Sequence, residues 1–331
     1  MGPPHLITNI GFCALAAEEI IRALGEDVDE AGSREIHRLY SLGLPPVIDL
    51  PSLAVMTNLN PSILFAFYKF PEKQYRVFTI PKGAGRRRIE SPRVGLKIIQ
   101  RWLAYHFQRC WEPPREVHGF VRGRSHLSAA SAHIGAEWVI SRDIANFFPT
   151  VDRESIRRAL EHLGYRDSEG LILLTGLCSY DNRLSQGAPT SPVLSNVALR
   201  DVDGVLRDLA HQYNARYTRY ADDLSFSGKG PLPVDLARRI DEIFSELPWM
   251  IASNKSHEAE LPNRLKIHGL LVHGNHVRLT KGYRNRLRAY RHLMNAGKIR
   301  PTDIGTISGH ISYAKSVEDF PTGGSRGSSG P

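Results

Sequence analysis

The tetrapeptide Tyr220-Ala221-Asp222-Asp223 constrains this chain more than any other stretch. Before it, Ala215-Arg216-Tyr217-Thr218-Arg219 is polar and aromatic; after it, Leu224-Ser225-Phe226-Ser227 alternates apolar with polar. Two short β-patterned runs around so brief a connection predict a tight hairpin with adjacent carboxylates at its tip. Neighbouring carboxylates repel one another and lose hydration when buried, so a fold that keeps them has a use for a cation there. Alone, an Asp-Asp pair reads more simply as an acidic surface turn, and the other stations of the chain decide between the two.

The first of these is Glu137-Trp138-Val139-Ile140-Ser141-Arg142-Asp143-Ile144, a strand that ends in a carboxylate and is broken by Asn146-Phe147-Phe148-Pro149. A helix follows from about Asp152 to Leu163 and closes at Gly164. An Asp at the end of a core strand is costly unless it is paired or binds a metal, and a salt bridge to Arg142 is the plain alternative. The next station is Gln186-Gly187-Ala188-Pro189-Thr190-Ser191-Pro192, a shaped turn in which Ser191 and Pro192 supply a cap and a first-turn residue. Val193, Leu194, Val197, Val202, Val205, Leu206 and Leu209 then mark one long amphipathic helix. If Asp143 converges with Asp222 and Asp223, the three can hold two divalent ions. Such a pair, roughly 3.5–4 Å apart, clamps the attacking and leaving oxygens of an in-line phosphoryl transfer. Hard oxygen ligands, completed by phosphates, favour Mg²⁺.

A second cluster is basic. Tyr75 to Ile80 alternates like a strand, Pro81-Lys82-Gly83-Ala84-Gly85 turns, and Arg86 to Pro92 returns. Seven Lys/Arg and one acid, Glu90, lie between Lys82 and Arg101. This is either a solvated basic hairpin or one whose ammonium and guanidinium groups hold phosphates. A helix from about Arg93 to Cys110 follows, with Leu96, Ile99, Trp102, Leu103 and Phe107 as its buried stripe. Upstream, residues 14–24 read as a helix stopped at Gly25, Gly25 to Ser33 as an exposed loop, and Ser33 to Leu42 as a second helix ended by Pro45-Pro46.

The formal net charge of +9 points to a polyanionic partner, most simply nucleic acid. Much of it is local: Arg264 to Arg300 holds ten Lys/Arg and no acid. Lys281 to Asn295 reads as a helix with Tyr283, Leu287, Tyr290 and Leu293 inward and Arg284, Arg286, Arg288 and Arg291 as RNA-binding candidates. A charge run is often just a solvated face, but one without acids fits a track along phosphates. His268, His273 and His276 have no Cys nearby and are not read as a metal site. Cys13, Cys110 and Cys178 are far apart and odd in number, which gives no disulfide framework and fits a reducing cytosol. No stretch reaches the roughly 18 apolar residues of a membrane span, and neither a secretory n-region nor a myristoylation pattern is present. The expectation is a cytoplasmic protein with no membrane partner, and Pro321 to Pro331, rich in Gly and Ser, reads as a disordered tail.

With these motifs in order, the sequence resembles the reverse transcriptases of bacterial retrons. The resemblance rests on Tyr220-Ala221-Asp222-Asp223 followed by Leu224-Ser225-Phe226-Ser227, on Asp143 with Phe147-Phe148-Pro149, on Gln186 to Pro192, on Phe120-Val121-Arg122-Gly123-Arg124-Ser125, and on the hairpin Ile80 to Pro92. It implies an α+β right-hand polymerase: an N-terminal helical region at 1–60, fingers at 61–136 with part of 165–192, an antiparallel palm at 137–262, a helical RNA-binding thumb at 263–320, and the tail at 321–331. It implies DNA synthesis on an RNA template with two Mg²⁺ ions held by Asp143, Asp222, Asp223 and the carbonyl of Ile144. Lys82 and Arg87 would hold the triphosphate, and Phe148 would crowd a ribose 2′-OH. Gln186 and Gly187 would line the nucleotide pocket, and Lys255 would lie where a proton donor to pyrophosphate is found.

The partners implied are a cognate non-coding RNA, its DNA product and an effector protein, with priming from an RNA 2′-OH and a role in phage defence. The sequence departs from the family pattern at Ala129-Ala130-Ser131-Ala132-His133, at Ile267-His268-Gly269 and at Ala252. The rival within the class is a reverse transcriptase of another bacterial lineage, group II intron-like or diversity-generating. From another class the rival is a non-catalytic RNA-binding scaffold or antitoxin, against which three costly carboxylates count.

Overall fold

The computed structural model describes residues 16–321 apart from 84 and 167. Part of the first expected helix (14–15) and the expected tail (322–331) lie outside the described residues. The chain divides into two compact units, residues 1–114 with 146–201 and residues 115–145 with 202–331.

The first unit is mostly helical. Ala17–Leu24 opens where the Glu19 carboxylate accepts from Ala16 N at 2.8 Å, and buries Ala17, Ile20 and Leu24. The segment expected as a loop to Ser33 is instead a short 3₁₀ turn and then the helix Glu30–Ser41. Asp29 starts that helix three residues early because its side chain accepts from Gly32 N at 2.7 Å, a cap that leaves one fewer donor unpaired. Asp49 and Asn60 cap Leu50–Thr57 and Pro61–Lys69 in the same way. Among the described residues no single helix is long and apolar enough to cross a membrane.

Leu96, Ile99, Leu103 and Phe107 of Val94–Cys110 are fully buried, as is most of Glu169–Cys178. The helix Ser191–Ala198 begins at Ser191 itself, whose Oγ donates to Ser185 O at 2.7 Å rather than capping. The long helix expected to Leu209 is two, Ser191–Ala198 and Arg200–Gln212, parted at Leu199. The apolar period runs on across that residue, so the pattern does not register the interruption. One hairpin stands out from the helices: β1 (Tyr75–Lys82) pairs antiparallel with β2 (Gly85–Pro92), from Tyr75 opposite Pro92 to Lys82 opposite Gly85.

The second unit is built on a four-stranded antiparallel sheet. Its strands are β3 (Trp138–Asp143), β4 (Arg216–Tyr220), β5 (Asp223–Gly228) and β6 (His257–Glu260), in the order β4-β5-β3-β6. β3 takes the centre because Trp138, Val139 and Ile140 are almost wholly buried, the environment in which β-branched and aromatic side chains favour strand. A second, small sheet joins β7 (Lys266–Ile267), β8 (Leu270–Leu271) and β9 (Arg278–Leu279). One core runs from Val139 and Ala259 through Ile267, Leu270 and Leu279 to Leu287 of the helix Lys281–Asn295 and Ala314 and Val317 of Ile304–Glu318. Leu293, expected on the inner face, is 36% exposed, because by that turn the helix has passed the core and Leu287 is its buried residue.

Candidate active site

β3 and β5 are in a register that sets Asp143 directly opposite Asp223. Side chains opposite one another share a face, and like charges there destabilise the sheet. Asp222 is next to them in the turn between β4 and β5, and Ile144 N donates to Asp222 O at 2.9 Å, tying the end of β3 to the turn. Burial pushes the Asp222 carboxyl above the usual range, and the Asp143 and Asp223 carboxylates push it further the same way. Three acids thus share one end of the sheet, and their mutual repulsion is the electrostatic mark of a cation site.

A positive charge is already drawn to it. Lys255 Nζ donates to both oxygens of Asp143 at 2.6 Å; the aspartate side chain is 8% exposed and the lysine 45%. Burial opposes the ammonium, but its bond with Asp143 and the nearby acids outweigh that and hold its pKa above the ordinary lysine value. Among the described residues no three His, Cys, Asp or Glu side chains are gathered at metal-ligand distance. Lys255 Nζ stands in for part of the charge that a divalent ion would bring. Hard carboxylate oxygens with surplus negative charge fit such an ion.

The salt bridge from Arg142 to Asp143, the plain alternative from sequence, is not what forms. Arg142, one residue away and on the opposite face, bonds Asp241 at 2.9 Å and Glu258 at 2.7 Å. The turn itself is braced from behind. Ala221 has φ 59°, which costs a residue with a Cβ about 1–2 kcal/mol. Arg219, wholly buried, donates to Ala221 O at 3.2 Å and to both Asp203 oxygens at 2.7 and 2.6 Å, and Tyr217 adds its hydroxyl to Asp203 at 2.8 Å. The stretch 116–119 runs alongside β4: Arg219 N donates to Glu116 O and His118 N to Arg219 O, both at 2.8 Å. Gly119 is obligatory there, since a Cβ on it would lie 2.1 Å from Ala221 N.

The other candidates from sequence lie in the first unit. Lys82 is exposed and Arg87 half-buried near the outer end of the β1–β2 hairpin. Glu90, 2% exposed, is held by Arg183 at 2.8 and 3.0 Å and by Arg88 at 3.0 Å, so the single acid of the basic stretch is neutralised internally. Gln186 O accepts from Glu90 N at 3.1 Å, and Gly187, at φ 146°, lies so near β2 that a Cβ would sit 2.8 Å from Glu90 O. The fold therefore seats the Gln186-Gly187 turn on the basic hairpin. Phe148 is half-buried against Phe147, ring centroids 5.3 Å apart. In the second unit Arg284, Arg286, Arg288 and Arg291 are all exposed along Lys281–Asn295.

Residues 80–267 match the model of the family described as reverse transcriptase (RNA-dependent DNA polymerase). The chain is 30% identical over 288 residues to the retron Ec86 reverse transcriptase of Escherichia coli, covering 85% of this chain and 88% of that one. The chain belongs to the retron-type reverse transcriptases. It is also 32% identical over 268 residues to the retron Mx162 reverse transcriptase of Myxococcus xanthus, spanning 71% of this chain and 55% of that longer protein. Among solved structures it is similar to apo telomerase from Candida tropicalis truncated from its C-terminal domain, with a TM-score of 0.46 and 12% identity over 62% of this chain and 55% of that one.

As a reverse transcriptase the protein is an RNA-directed DNA polymerase of right-hand α+β fold, and enzymes of its family work with divalent metal ions. Reasoning from sequence missed the Arg219–Asp203–Tyr217 brace, Gly119, and the contact between His268 and Asp223, whose Nδ1 and Oδ2 are 3.6 Å apart. Arg219 stands directly before the Tyr220 motif, and a charged residue between Thr218 and Tyr220 inside a β-patterned run is the signal that could have found it.

Proposed function

We propose that this reverse transcriptase copies part of a cognate structured RNA into single-stranded DNA in the cytoplasm. Priming from a 2′-OH of that RNA would give a branched RNA–DNA product, in phage defence with an effector protein. The observation that carries the polymerase part is the register placing Asp143 opposite Asp223 with Asp222 adjacent. The retron part rests on the likeness to retron enzymes over most of the chain.

In this reading Asp143, Asp222 and Asp223, with the Ile144 carbonyl, hold two Mg²⁺ ions. Held there, such ions would stabilise the negative charge on the attacking and the leaving oxygens of an in-line displacement. Lys82 and Arg87 bind the triphosphate, Arg87 with the planar fork suited to phosphate. Gln186 and Gly187 line the nucleotide pocket and Phe148 crowds a ribose 2′-OH. Lys255, whose ammonium keeps its proton well above neutral pH, gives that proton to the departing pyrophosphate once released from Asp143. Arg284, Arg286, Arg288 and Arg291 track RNA phosphates.

The test is extraction of nucleic acid that co-purifies with the protein when it is expressed with its flanking locus, beside the Asp222→Ala/Asp223→Ala double variant. A short single-stranded DNA that shifts in size after ribonuclease, present with the wild type alone, is the expected result. DNA in both samples would overturn the roles of Asp222 and Asp223. RNA alone in both, together with no primer extension on a generic RNA, would favour a scaffold.

A further inference from the structure

An imidazole that plays no part in the reading above is brought against one of the carboxylates in an unusual way. β7 and β8 are joined by two residues, His268 at φ 48° and Gly269 at φ 78°. Positive φ at both positions is the geometry of the tightest hairpin turns, for which Asn-Gly or Gly-Gly is the ordinary choice. His268 nevertheless occupies the first position. Its side chain is 7% exposed, its ring centroid is 5.2 Å from that of Tyr220, and its Nδ1 is 3.6 Å from Asp223 Oδ2. Its other nitrogen, Nε2, is buried without a hydrogen-bond partner among the described residues.

Neither packing nor the turn accounts for this residue. An apolar side chain would fill the space without stranding a buried nitrogen, and Asn or Gly would fit the backbone better. What the imidazole alone supplies is a donor facing Asp223. A bare lone pair turned toward a carboxylate oxygen would repel it, so Nδ1 carries the hydrogen on that side. At 3.6 Å the two are in electrostatic contact rather than hydrogen-bonded. Asp143 is gripped by Lys255 and the Asp222 backbone by Ile144, whereas the Asp223 side chain is 49% exposed and, among the described residues, has no side-chain hydrogen bond to hold it.

We propose that His268 is a positioning residue for Asp223, restraining its carboxylate so that it is preorganised to receive a divalent cation. The proposal rests on Asp223 being a metal ligand. Groups that orient a ligand from behind typically change metal affinity by about 10–100-fold when removed.

The experiment titrates the full chain with manganese(II), without nucleotide or RNA, reading free Mn²⁺ by electron paramagnetic resonance. His268→Gly keeps the positive φ and removes the imidazole; His268→Asn tolerates the same φ and restores a short donor. We expect His268→Gly to bind Mn²⁺ about tenfold more weakly, measured well below its thermal midpoint, and His268→Asn to recover most of that loss. In an Asp223→Ala background, His268→Gly should add nothing, since the two act through one carboxylate. Undiminished Mn²⁺ binding by His268→Gly, with Asp223→Ala still weakened, overturns the positioning role and leaves the metal reading standing. Equal weakening in the Gly and Asn variants overturns it as well. Undiminished binding by Asp223→Ala overturns both.

Discussion

His133 has no exposure to solvent; its Nδ1 is hydrogen-bonded to Ser227 Oγ at 2.7 Å and its Nε2 to Thr218 Oγ1 at 2.8 Å. Burial first, then the nearby His268, Arg216 and His118, push its pKa down to about 3. The unfolded chain takes up this proton near the ordinary value of about 6.5, whereas the native protein refuses it. Between these two values the unfolded state binds more protons, so stability is lost as pH falls from about 6.5 toward 3 and is fully present above that window. The slope approaches about 1.4 kcal/mol per pH unit for this one group. His133→Gln keeps a donor and an acceptor but does not titrate. Its denaturant-measured stability should therefore fall by roughly 1–2 kcal/mol less than the wild type's between pH 6.5 and 5; equal losses would mean that His133 is not held neutral. Because Thr218 and Ser227 lie on β4 and β5, the two strands that flank the Asp222 turn, acid sensitivity and the active site share one piece of sheet.

The β4–β5 hairpin and its brace behave as one element. Removing one member of a buried ion pair strands the other charge and costs about 3–5 kcal/mol, whereas replacing both by apolar side chains costs much less. Asp203→Leu alone should accordingly destabilise more than Asp203→Leu with Arg219→Met, as read by urea unfolding. DNA synthesis should nevertheless fail in the double variant, because Ala221 O loses its Arg219 donor there. Recovery of synthesis in the double variant would show that the brace serves stability alone. The hairpin was legible in the sequence because its strands, turn and carboxylates are contiguous, and the same holds for β1, β2 and β3. What holds these elements was not legible, because it is remote in the chain: Glu90 meets Arg183 across 93 residues, and Arg142 meets Asp241 across 99. Asp29 as an early cap was within reach, since Asp before a helical run is an ordinary start signal.

At the scale of the molecule the basic surface is the element with a direct solution readout. Arg284 and Arg288 are exposed on a helix whose buried residue is Leu287, so both can be removed without touching the core. Arg284→Ala with Arg288→Ala should weaken RNA binding and lower the slope of log K against log salt by about 1 for each phosphate left without its cation. An unchanged slope would assign the binding elsewhere. Charge placement also bears on how the protein reaches its native state. In a strand, adjacent residues face opposite ways, and a slip of one position exchanges the two faces. Were β3 to slip by one, Asp143 would turn toward Asp241 and Glu258, and Arg142 would leave both for the face of Asp223. A misaligned sheet would confront three acids with no cation among them. The alternation of Arg142 and Asp143 thus works as a checksum on strand alignment, penalising a mispaired chain before it could ever meet a nucleotide.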